Sequence, residues 1–299
     1  MRITLRGATA LLVFLACASG SAAADTTFDR NVPAQPRGAV EISNVSGEIR
    51  VSGWDRAEVS VHAELSAAGE HVELSSEGGR TIIKVLQPHS VGGGGEAHLQ
   101  VKVPKDSELT VSAVSANVTT SGVLGVQRLD TVSGDVTAEL AGADVELKSV
   151  SGNVNLKGHA QPARLHLSTV SGDLHVEHGA GDLEATTVNG NLDASLDGAR
   201  SVRVRTTSGD VRFAGTLARG ASVDATSVSG NVTVHAGAEG GYTYEVSSFS
   251  GDIGDCFNAS AERTSKYGPG TRLQGARGDG AGHVRVKTMS GDVQLCDHP

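Results

Sequence analysis

The segment Thr131-Val-Ser-Gly-Asp-Val136 recurs along the chain, first as Ser149-Val-Ser-Gly-Asn-Val154 and then as Thr169-Val-Ser-Gly-Asp-Leu174. The recurring unit is a Ser-Gly-(Asp/Asn) triplet, whose serines are Ser133, Ser151, Ser171, Ser208, Ser229, Ser250 and Ser290, with an early copy at Ser46. Two variants, Ser115-Ala-Asn117 and Asn189-Gly-Asn191, keep the series regular. From Ser115 to Ser250 the step is 18 to 21 residues, and a period of this size indicates stacked repeats.

Apolar residues occupy fixed places around each triplet, and we predict that these places face the core. Spacing by two on each side of the triplet is the period of a β-strand, so each repeat is predicted to be a strand, a sharp corner, a second strand and a return loop. Six residues before the serine stand Val145, Leu165, Leu183, Val202, Val223, Tyr244 and Val284, and four before it stand Leu129, Leu147, Leu167, Val204, Val246 and Val286. One residue before it stand Val132, Val150, Val170, Val188, Val228, Phe249 and Met289, and three after it stand Val136, Val154, Leu174, Leu192, Val211, Val232, Ile253 and Val293.

The triplet has the composition of a tight corner. Glycine adopts backbone conformations that a residue with a Cβ reaches only at a cost, and Asp or Asn beside it can hydrogen-bond its own turn. Two residues before the serine lies a hydroxyl side chain, which would form a file along a stack: Thr131, Ser149, Thr169, Thr187, Thr206, Ser227, Ser248 and Thr288.

Two architectures fit this pattern. Ser-Gly between short apolar alternations is also compatible with the turn of an antiparallel hairpin, which would give a meander or a sandwich. Equivalent residues repeated in register favour stacking instead. We therefore predict an all-β protein, a parallel β-solenoid of the β-helix or β-roll type with about 8–9 coils of 18–21 residues and a β-rich N-terminal section.

The third triplet residues alternate between amide and acid. We call this series the turn ladder: Asn117, Asp135, Asn153, Asp173, Asn191, Asp210, Asn231, Asp252 and, after a longer step, Asp292. Coils that stack at about 4.8 Å would bring successive carboxylates close enough to repel, and an intervening asparagine roughly doubles their separation. The alternative is that Asp and Asn are merely interchangeable turn residues.

Cys256 and Cys296 each lie six residues after a triplet serine. Directly stacked coils place equivalent Cα atoms about 4.8 Å apart, within the range of a disulfide, whereas an intervening coil would prevent the bond. We therefore predict that these cysteines are bonded. The step from Ser250 to Ser290 is then one coil plus a loop excursion near residues 258–282, whose glycines favour a loop.

The N-terminus has the features of an export signal. Arg2 and Arg6 precede an apolar run, and Ala22-Ala-Ala24 is a small-residue cleavage site, so residues 1–24 are predicted to be a signal peptide. The apolar run is too short for an integral membrane span. Cys17 follows a sequence that loosely resembles a lipoprotein cleavage box, which leaves a lipid anchor as the minority interpretation. Both alternatives place the protein in the periplasm or at the cell surface, where a disulfide can form.

Charge limits the partners that the mature chain can bind. Removing Arg2 and Arg6 leaves 23 Lys and Arg against 34 Asp and Glu, which is a net charge of -11. Nucleic acids and anionic lipids are bound mainly through basic clusters, so neither is expected. Residues 25–110 are predicted to form a β-rich cap over the first coil, and residues 111–299 to form the repeats, because an open end would expose strand edges.

The segment Ala39-Val-Glu-Ile-Ser-Asn-Val-Ser-Gly-Glu-Ile-Arg-Val-Ser-Gly-Trp-Asp55, followed by Val101-Lys-Val-Pro104 and the serial triplets, resembles a bacterial family of unknown function. This family, domain-of-unknown-function-4097, is described as adhesin-like with β-strand repeats. The resemblance covers nearly the whole mature chain. It implies an exported, solenoid-like envelope protein with no established catalytic residues.

The residues themselves favour a structural or binding role. Turn aspartates could pair as acid and base in a carbohydrate-active β-helix enzyme, which is the alternative function, but the asparagines of the turn ladder separate them. His166, His175, His178 and Glu177 could gather a metal, but outward-facing strand positions explain them better, since His175 and His178 should not point the same way along one strand. We therefore expect no catalytic residue, cofactor or metal. An envelope glycan or another protein is the expected partner, and the oligomeric state stays open.

Overall fold

The computed structural model describes residues 26–67, 69–87, 95–159, 161–257, 259–264 and 269–297, and every regular element in these residues is a β-strand. None of these residues belongs to a helix long and apolar enough to cross a membrane. The predicted signal peptide and Cys17 lie outside the described residues, as does part of the predicted excursion.

The described residues form 23 strands in one sheet system. In order they are β1 Thr26–Pro33, β2 Ala39–Trp54, β3 Glu58–Leu65, β4 His71–Glu77, β5 Arg80–Leu86, β6 Ala97–Pro104, β7 Glu108–Ser121, β8 Gln127–Ser133, β9 Val136–Glu139, β10 Val145–Ser151, β11 Val154–Lys157, β12 Ala163–Ser171, β13 Leu174–Gly179, β14 Gly181–Asn189, β15 Leu192–Ser208, β16 Val211–Ser229, β17 Val232–Ala238, β18 Gly241–Ser250, β19 Ile253–Asp255, β20 Glu262–Arg263, β21 Thr271–Gly278, β22 Gly282–Ser290 and β23 Val293–Cys296. The long strands β15 and β16 each run from one repeat into the next.

The repeats pair in parallel and in register. Ser151 pairs with Ser133 on one side and with Ser171 on the other, and Val154 likewise pairs with Val136 and Leu174. We call the strand before a triplet, its corner and the strand after it a rung, named by its first triplet residue. A hairpin meander would pair successive strands antiparallel, so that alternative is wrong.

The rungs do not stack in chain order at the C-terminal end. Strand β22 of the Ser290 rung pairs with β16 of the Ser229 rung on one side and with β18 of the Ser250 rung on the other. The last repeat of the chain is therefore inserted between the two repeats that precede it. Strand β21 pairs antiparallel with β18 on the outer side, so the Ser250 rung is covered rather than left as an open edge.

The rungs also depart from chain order at the N-terminal end, where an early strand is covered by strands that follow it in the sequence. Strand β2 pairs in parallel with β7 on its inner side and with β5 and β6 on its outer side, so the first long strand lies inside the strands that follow it. Strands β3 and β4 then pair antiparallel with β6 and β5, and β1 pairs with β3. Both ends of the parallel stack thus finish in antiparallel strands.

The core consists of the residues two, four and six positions before the triplet serine and of the residue three positions after it. The columns six and four residues before the serine are buried, as predicted, and so is the column three residues after it, with Ile253 partly buried. The predicted burial of the column one residue before the serine is wrong. Its members are the exposed side chains Val132, Val150, Val170, Val188, Val228, Phe249 and Met289.

The hydroxyl column explains this correction. Strand side chains alternate between the two faces, so a core that takes positions six and four before the serine also takes position two. Thr169 is 2% exposed there, and its Oγ1 donates a hydrogen bond to the carbonyl of Gly152 in the neighbouring rung at 3.2 Å. Ser248 makes the equivalent bond to Gly291 at 3.0 Å. The hydroxyl therefore points inward, and in six of the eight rungs it donates to the neighbouring corner, while Thr206 Oγ1 and Ser227 Oγ are buried without a partner. The residue after the hydroxyl faces solvent.

Candidate functional site

Most corners present the same three kinds of side chain to solvent: an apolar residue, a serine and the ladder residue, with Thr207 at the apolar position of one rung and Asn189 at the serine position of another. In the Ser133 rung these are Val132, Ser133 and Asp135, while Thr131 before them and Val136 after them are buried. Because the rungs are in register, the three side chains form three parallel columns along the stack. These columns and the strand faces beside them are the candidate functional surface.

The turn ladder is a continuous chain of hydrogen bonds between rungs. The backbone N–H of Asp135 donates to Asn117 Oδ1 at 2.9 Å, and that of Asn153 donates to Asp135 Oδ1 at 2.8 Å. The same bond, at 2.7 to 3.0 Å, joins each later pair in the order Asp173, Asn191, Asp210, Asn231, Asp292 and Asp252. The inserted rung keeps the alternation as far as Asp292, and the last step then brings two aspartates together.

A second alternating column lies five residues before the serine, and the sequence analysis missed it. We call it the charge column, and in stacking order it reads Arg128, Glu146, His166, Glu184, Arg203, Asp224, Arg285 and Glu245. Glu245 receives hydrogen bonds from Arg272 and Arg285, and the bond from Arg272 is the main reason that its pKa is lowered. Lys148 lowers the pKa of Glu146 in the same way.

The charge column carries the signal for the inserted rung. In chain order Asp224 would be followed by Glu245, which places two acids on neighbouring strands. With the Ser290 rung between them, Arg285 separates the two acids and lies 3.4 Å from Glu245. Alternation of charge in this column therefore distinguishes the observed order from the simple one.

A shallow groove of about 500 Å³ lies between the turn ladder and the outward side chains of the strands that follow the triplets. Its one wall is formed by the ladder residues Asp173, Asn191, Asp210 and Asn231, and the other by outward side chains of the second strands: His175, Asp193, Arg212 and Thr233. Arg212 lies 3.6 Å from Asp193 in the neighbouring rung. The groove thus offers acceptors and donors that repeat from rung to rung.

The histidines singled out from the sequence do not converge. His166 faces Glu184 at 3.6 Å, His175 faces Glu177 at 3.0 Å, and His178 faces Asp197 at 3.3 Å. Among the residues that the structure describes, no three His, Cys, Asp or Glu side chains are placed to hold a metal ion.

A disulfide joins Cys256 to Cys296, whose Cα atoms are 5.0 Å apart. It connects the outermost Ser250 rung to the inserted Ser290 rung, which pair in parallel through β19 and β23. Nearby, the Tyr242 hydroxyl lies 2.7 Å from Asp297 Oδ1, and burial raises the pKa of this tyrosine. Arg277 also binds Asp297, so β18, β21 and the C-terminal segment are held together at one point.

The family model described as Toastrack DUF4097 matches residues 38–296, from the start of β2 to the last residue of β23. The chain belongs to this family. The match includes the Ser229, Ser250 and Ser290 rungs, so the inserted rung lies within the region that the toastrack model covers.

Several solved structures are similar to this toastrack chain. A candidate adhesin from Bacteroides fragilis is 10% identical, with a TM-score of 0.43 over 90% of this chain and 97% of that one. A candidate adhesin from Parabacteroides distasonis is 8% identical, with a TM-score of 0.42 over 91% and 98%. A candidate cell adhesion protein from Clostridium sporogenes is 10% identical, with a TM-score of 0.24 over 91% and 99%. No curated protein matches the chain.

The turn ladder of this toastrack protein gives a paired prediction. Changing Asn191 to Asp would place three carboxylates on successive rungs, from Asp173 to Asp210, and two repulsive steps of about 1 kcal/mol each are expected near the surface. The free energy of unfolding should therefore fall by about 2 kcal/mol at pH 7. The loss should shrink below about pH 4, where carboxylates take up protons and the repulsion ends.

The natural step from Asp292 to Asp252 supplies the control for this prediction. Changing Asp292 to Asn removes a repulsion and keeps the Oδ1 acceptor, so stability at pH 7 should rise by about 1 kcal/mol. Urea denaturation at pH 7 and pH 3.5 measures both variants. Equal losses for Asn191→Asp at the two pH values would show that the alternation is not electrostatic.

Proposed function

We propose that this chain is an exported, non-enzymatic module of the cell envelope, whose stacked rungs form a β-solenoid that binds an extended glycan along the groove. The observation that carries the proposal is the repetition of polar side chains along the groove. From rung to rung it presents a carboxylate or amide on one wall and a histidine, carboxylate, guanidinium or hydroxyl on the other. A polymer with repeating hydroxyl groups can meet such a surface at several rungs.

The charge of the groove narrows the class of glycan. Asp173, Asp193 and Asp210 line it, and Arg212 lies against Asp193, so the groove has an excess of negative charge. An anionic polysaccharide would meet like charge. A neutral polysaccharide, bound through its hydroxyl groups, is the class that the lining fits.

The enzyme alternative has less support. A glycosidase needs two carboxyl groups that are free to act as acid and base or nucleophile. In the groove, the Oδ1 atoms of Asp173 and Asp210 accept backbone N–H groups of the next rung, and Asn191 lies between them. These carboxylates hold the corners of the stack. The toastrack family has no established function.

Affinity electrophoresis through gels that contain dextran, galactomannan or xyloglucan tests the proposal. At least one of these neutral polysaccharides should retard the protein. The double change His175→Ala with Arg212→Ala should weaken binding about thirtyfold, because it removes two hydrogen-bonding groups worth about 1 kcal/mol each.

Arg50→Ala is the matched control. Its side chain is 61% exposed and paired with Glu48, much as Arg212 is 65% exposed and paired with Asp193, but it lies far from the groove lining. No retardation by any of the three polysaccharides would contradict glycan binding. Release of reducing ends during incubation would instead support the enzyme alternative.

A further inference from the structure

The exposed hydrophobic side chains of this protein are concentrated in one column. Ten large hydrophobic residues stand out as exposed in the described part of the chain, and all but Leu124 occupy the position directly before a triplet. We call this set the apolar column: Val45, Val114, Val132, Val150, Val170, Val188, Val228, Met289 and Phe249, in stacking order. Thr207 stands at the same position in the Ser208 rung.

The column is large for a monomer. Its members are between 39% and 59% exposed. At roughly 150 to 200 Å² for each fully exposed residue of this size, the column amounts to about 700 Å², more than the 300 to 600 Å² usual for the largest apolar patch of a monomer. One partner in a standard protein interface contributes about 800 Å². The column alone therefore supplies most of the area that a stable dimer needs.

The column cannot be withdrawn into the core. The residue before each of its members is a buried position, and in most rungs it is a hydroxyl bonded to the next corner, as Thr169 is to Gly152. Rotating the strand to bury the valine would expose this hydroxyl and the apolar residues two and four positions earlier. The members of the apolar column are therefore held facing solvent, with one such side chain on each rung that carries a member.

The spacing of the column selects its partner. Identical side chains stacked at 4.7 to 4.8 Å pack best against another sheet of the same spacing, as in the dry interfaces between paired sheets. An extended peptide repeats its side chains on one face at about 6.6 Å, so it would fall out of step after a few rungs. A second copy of this chain has the required spacing over the eight rungs from the Ser133 rung to the Ser250 rung.

The charge column fixes the direction of that second copy. It lies on the same strand face as the apolar column, and its eight members alternate between basic and acidic side chains. A two-fold axis between the Asn189 and Ser208 rungs pairs the first member of the charge column with the last member of the other copy, the second with the seventh, and so on. Because the column has eight alternating members, each basic side chain then faces an acidic one. Arg128 then faces Glu245, Glu146 faces Arg285, and Glu184 faces Arg203.

We propose that two copies of the chain associate face to face through their apolar columns, running in opposite directions. In this arrangement Val132 faces Phe249, Val150 faces Met289, and Val170 faces Val228 of the other copy. Lys148 and Lys287 also face each other, and the ion pair between Lys148 and Glu146 offsets this repulsion. The association uses a different face from the glycan groove and does not depend on glycan binding.

Sedimentation velocity of the exported chain tests the association. The wild type should sediment as a dimer in the micromolar range. The double change Val150→Asp with Val170→Asp buries two charges in the interface, so it should raise the dimer dissociation constant at least a hundredfold. Measured at a dilution where every variant is monomeric, its melting temperature should match that of Thr137→Asp with Asn155→Asp, which likewise places two carboxylates at outward positions of neighbouring rungs.

Thr137→Asp with Asn155→Asp is the matched control, since it places two charges at outward positions of β9 and β11 on neighbouring rungs. This control should remain dimeric. A wild type that stays monomeric at 100 µM protein, taken as about the upper end of the micromolar range, would overturn the proposal. So would a Val150→Asp, Val170→Asp variant that dimerises as well as the control.

Cross-linking with a short bismaleimide tests the direction. Copies that run in opposite directions place the two Val132 positions about seven rungs, or roughly 34 Å, apart, so Val132→Cys alone should give no cross-linked dimer. Adding Phe249→Cys should produce it, because Val132 of one copy then faces position 249 of the other. A cross-linked dimer of Val132→Cys alone would show parallel copies and overturn the proposed arrangement.

Discussion

Replacing Gly172 with alanine is expected to destabilise the protein by about 3 kcal/mol. A Cβ at this position would lie 2.1 Å from the carbonyl oxygen of Gly152 and 2.6 Å from its carbonyl carbon, in the rung beneath. Both are backbone atoms of the neighbouring corner, held between two paired strands, so they cannot move aside as the end of a side chain would. Overpacking of this kind costs about 1 to 3 kcal/mol in a well-packed core, and a rigid backbone neighbour places the change at the upper end.

The effect should spread along the stack. The same contact recurs at every regular corner, where the Cβ of Gly190 would lie 1.9 Å from Gly172 and that of Gly209 would lie 2.0 Å from Gly190. Opening one corner to admit a methyl group therefore breaks the register of its neighbours. We expect a lower midpoint in urea and a lower slope, because part of the stack is already open.

Gly254→Ala is the matched control, since a Cβ there would meet nothing within 4 Å. It lies in β19 of the outermost rung and should change the free energy of unfolding by less than about 0.5 kcal/mol. If Gly172→Ala and Gly254→Ala had similar stabilities in urea denaturation, close backbone contact would not be the reason for glycine in the triplet.

Much of the stack could be predicted from the sequence, because each repeat carries its own strand period and its own corner. Val145, Leu165 and Leu183 align at one offset from the triplet and are buried in successive rungs. The apolar character of valine predicts a core position for the residue before the triplet. Strand parity contradicts this, since Thr131 two residues before Ser133 already occupies the inward position.

The order of the rungs was harder to predict, because repeats with the same corner are nearly interchangeable. Equal offsets of Cys256 and Cys296 show that the Ser250 and Ser290 rungs touch, but they do not show which one is outermost. The charges decide this, since only insertion of Arg285 separates Asp224 from Glu245. The groove could not be predicted either, because its shape depends on how far the second strands lie from the turn ladder.

Ending the chain at Ala281, which removes the inserted rung, is expected to release two rungs rather than one. Strand β18 pairs only with β22 and β21 among the described strands, so without β22 the Ser250 rung has no neighbour in the stack. Redocking on the Ser229 rung would place Glu245 beside Asp224 and leave Cys256 unbonded. We expect residues 241–255 to exchange their amide protons at least a hundredfold faster than in the full chain.

Hydrogen exchange followed by mass spectrometry separates this outcome from that of a simple sequential stack. In a sequential stack the Ser250 rung would keep its partner, and residues 241–255 would stay protected in the shortened chain.

The double change Cys256→Ala with Cys296→Ala is a milder version that keeps every strand. It removes the closure of a 40-residue loop, worth about 4 kcal/mol in the chain-entropy account, and should loosen only the two outermost rungs. Loss of protection in the Ser250 and Ser290 rungs of this variant, with protection retained in β10 to β14, would show that the disulfide helps to hold the end of the stack closed. Unchanged protection of residues 241–255 in the chain that ends at Ala281 would show that the last repeat does not hold the end of the stack.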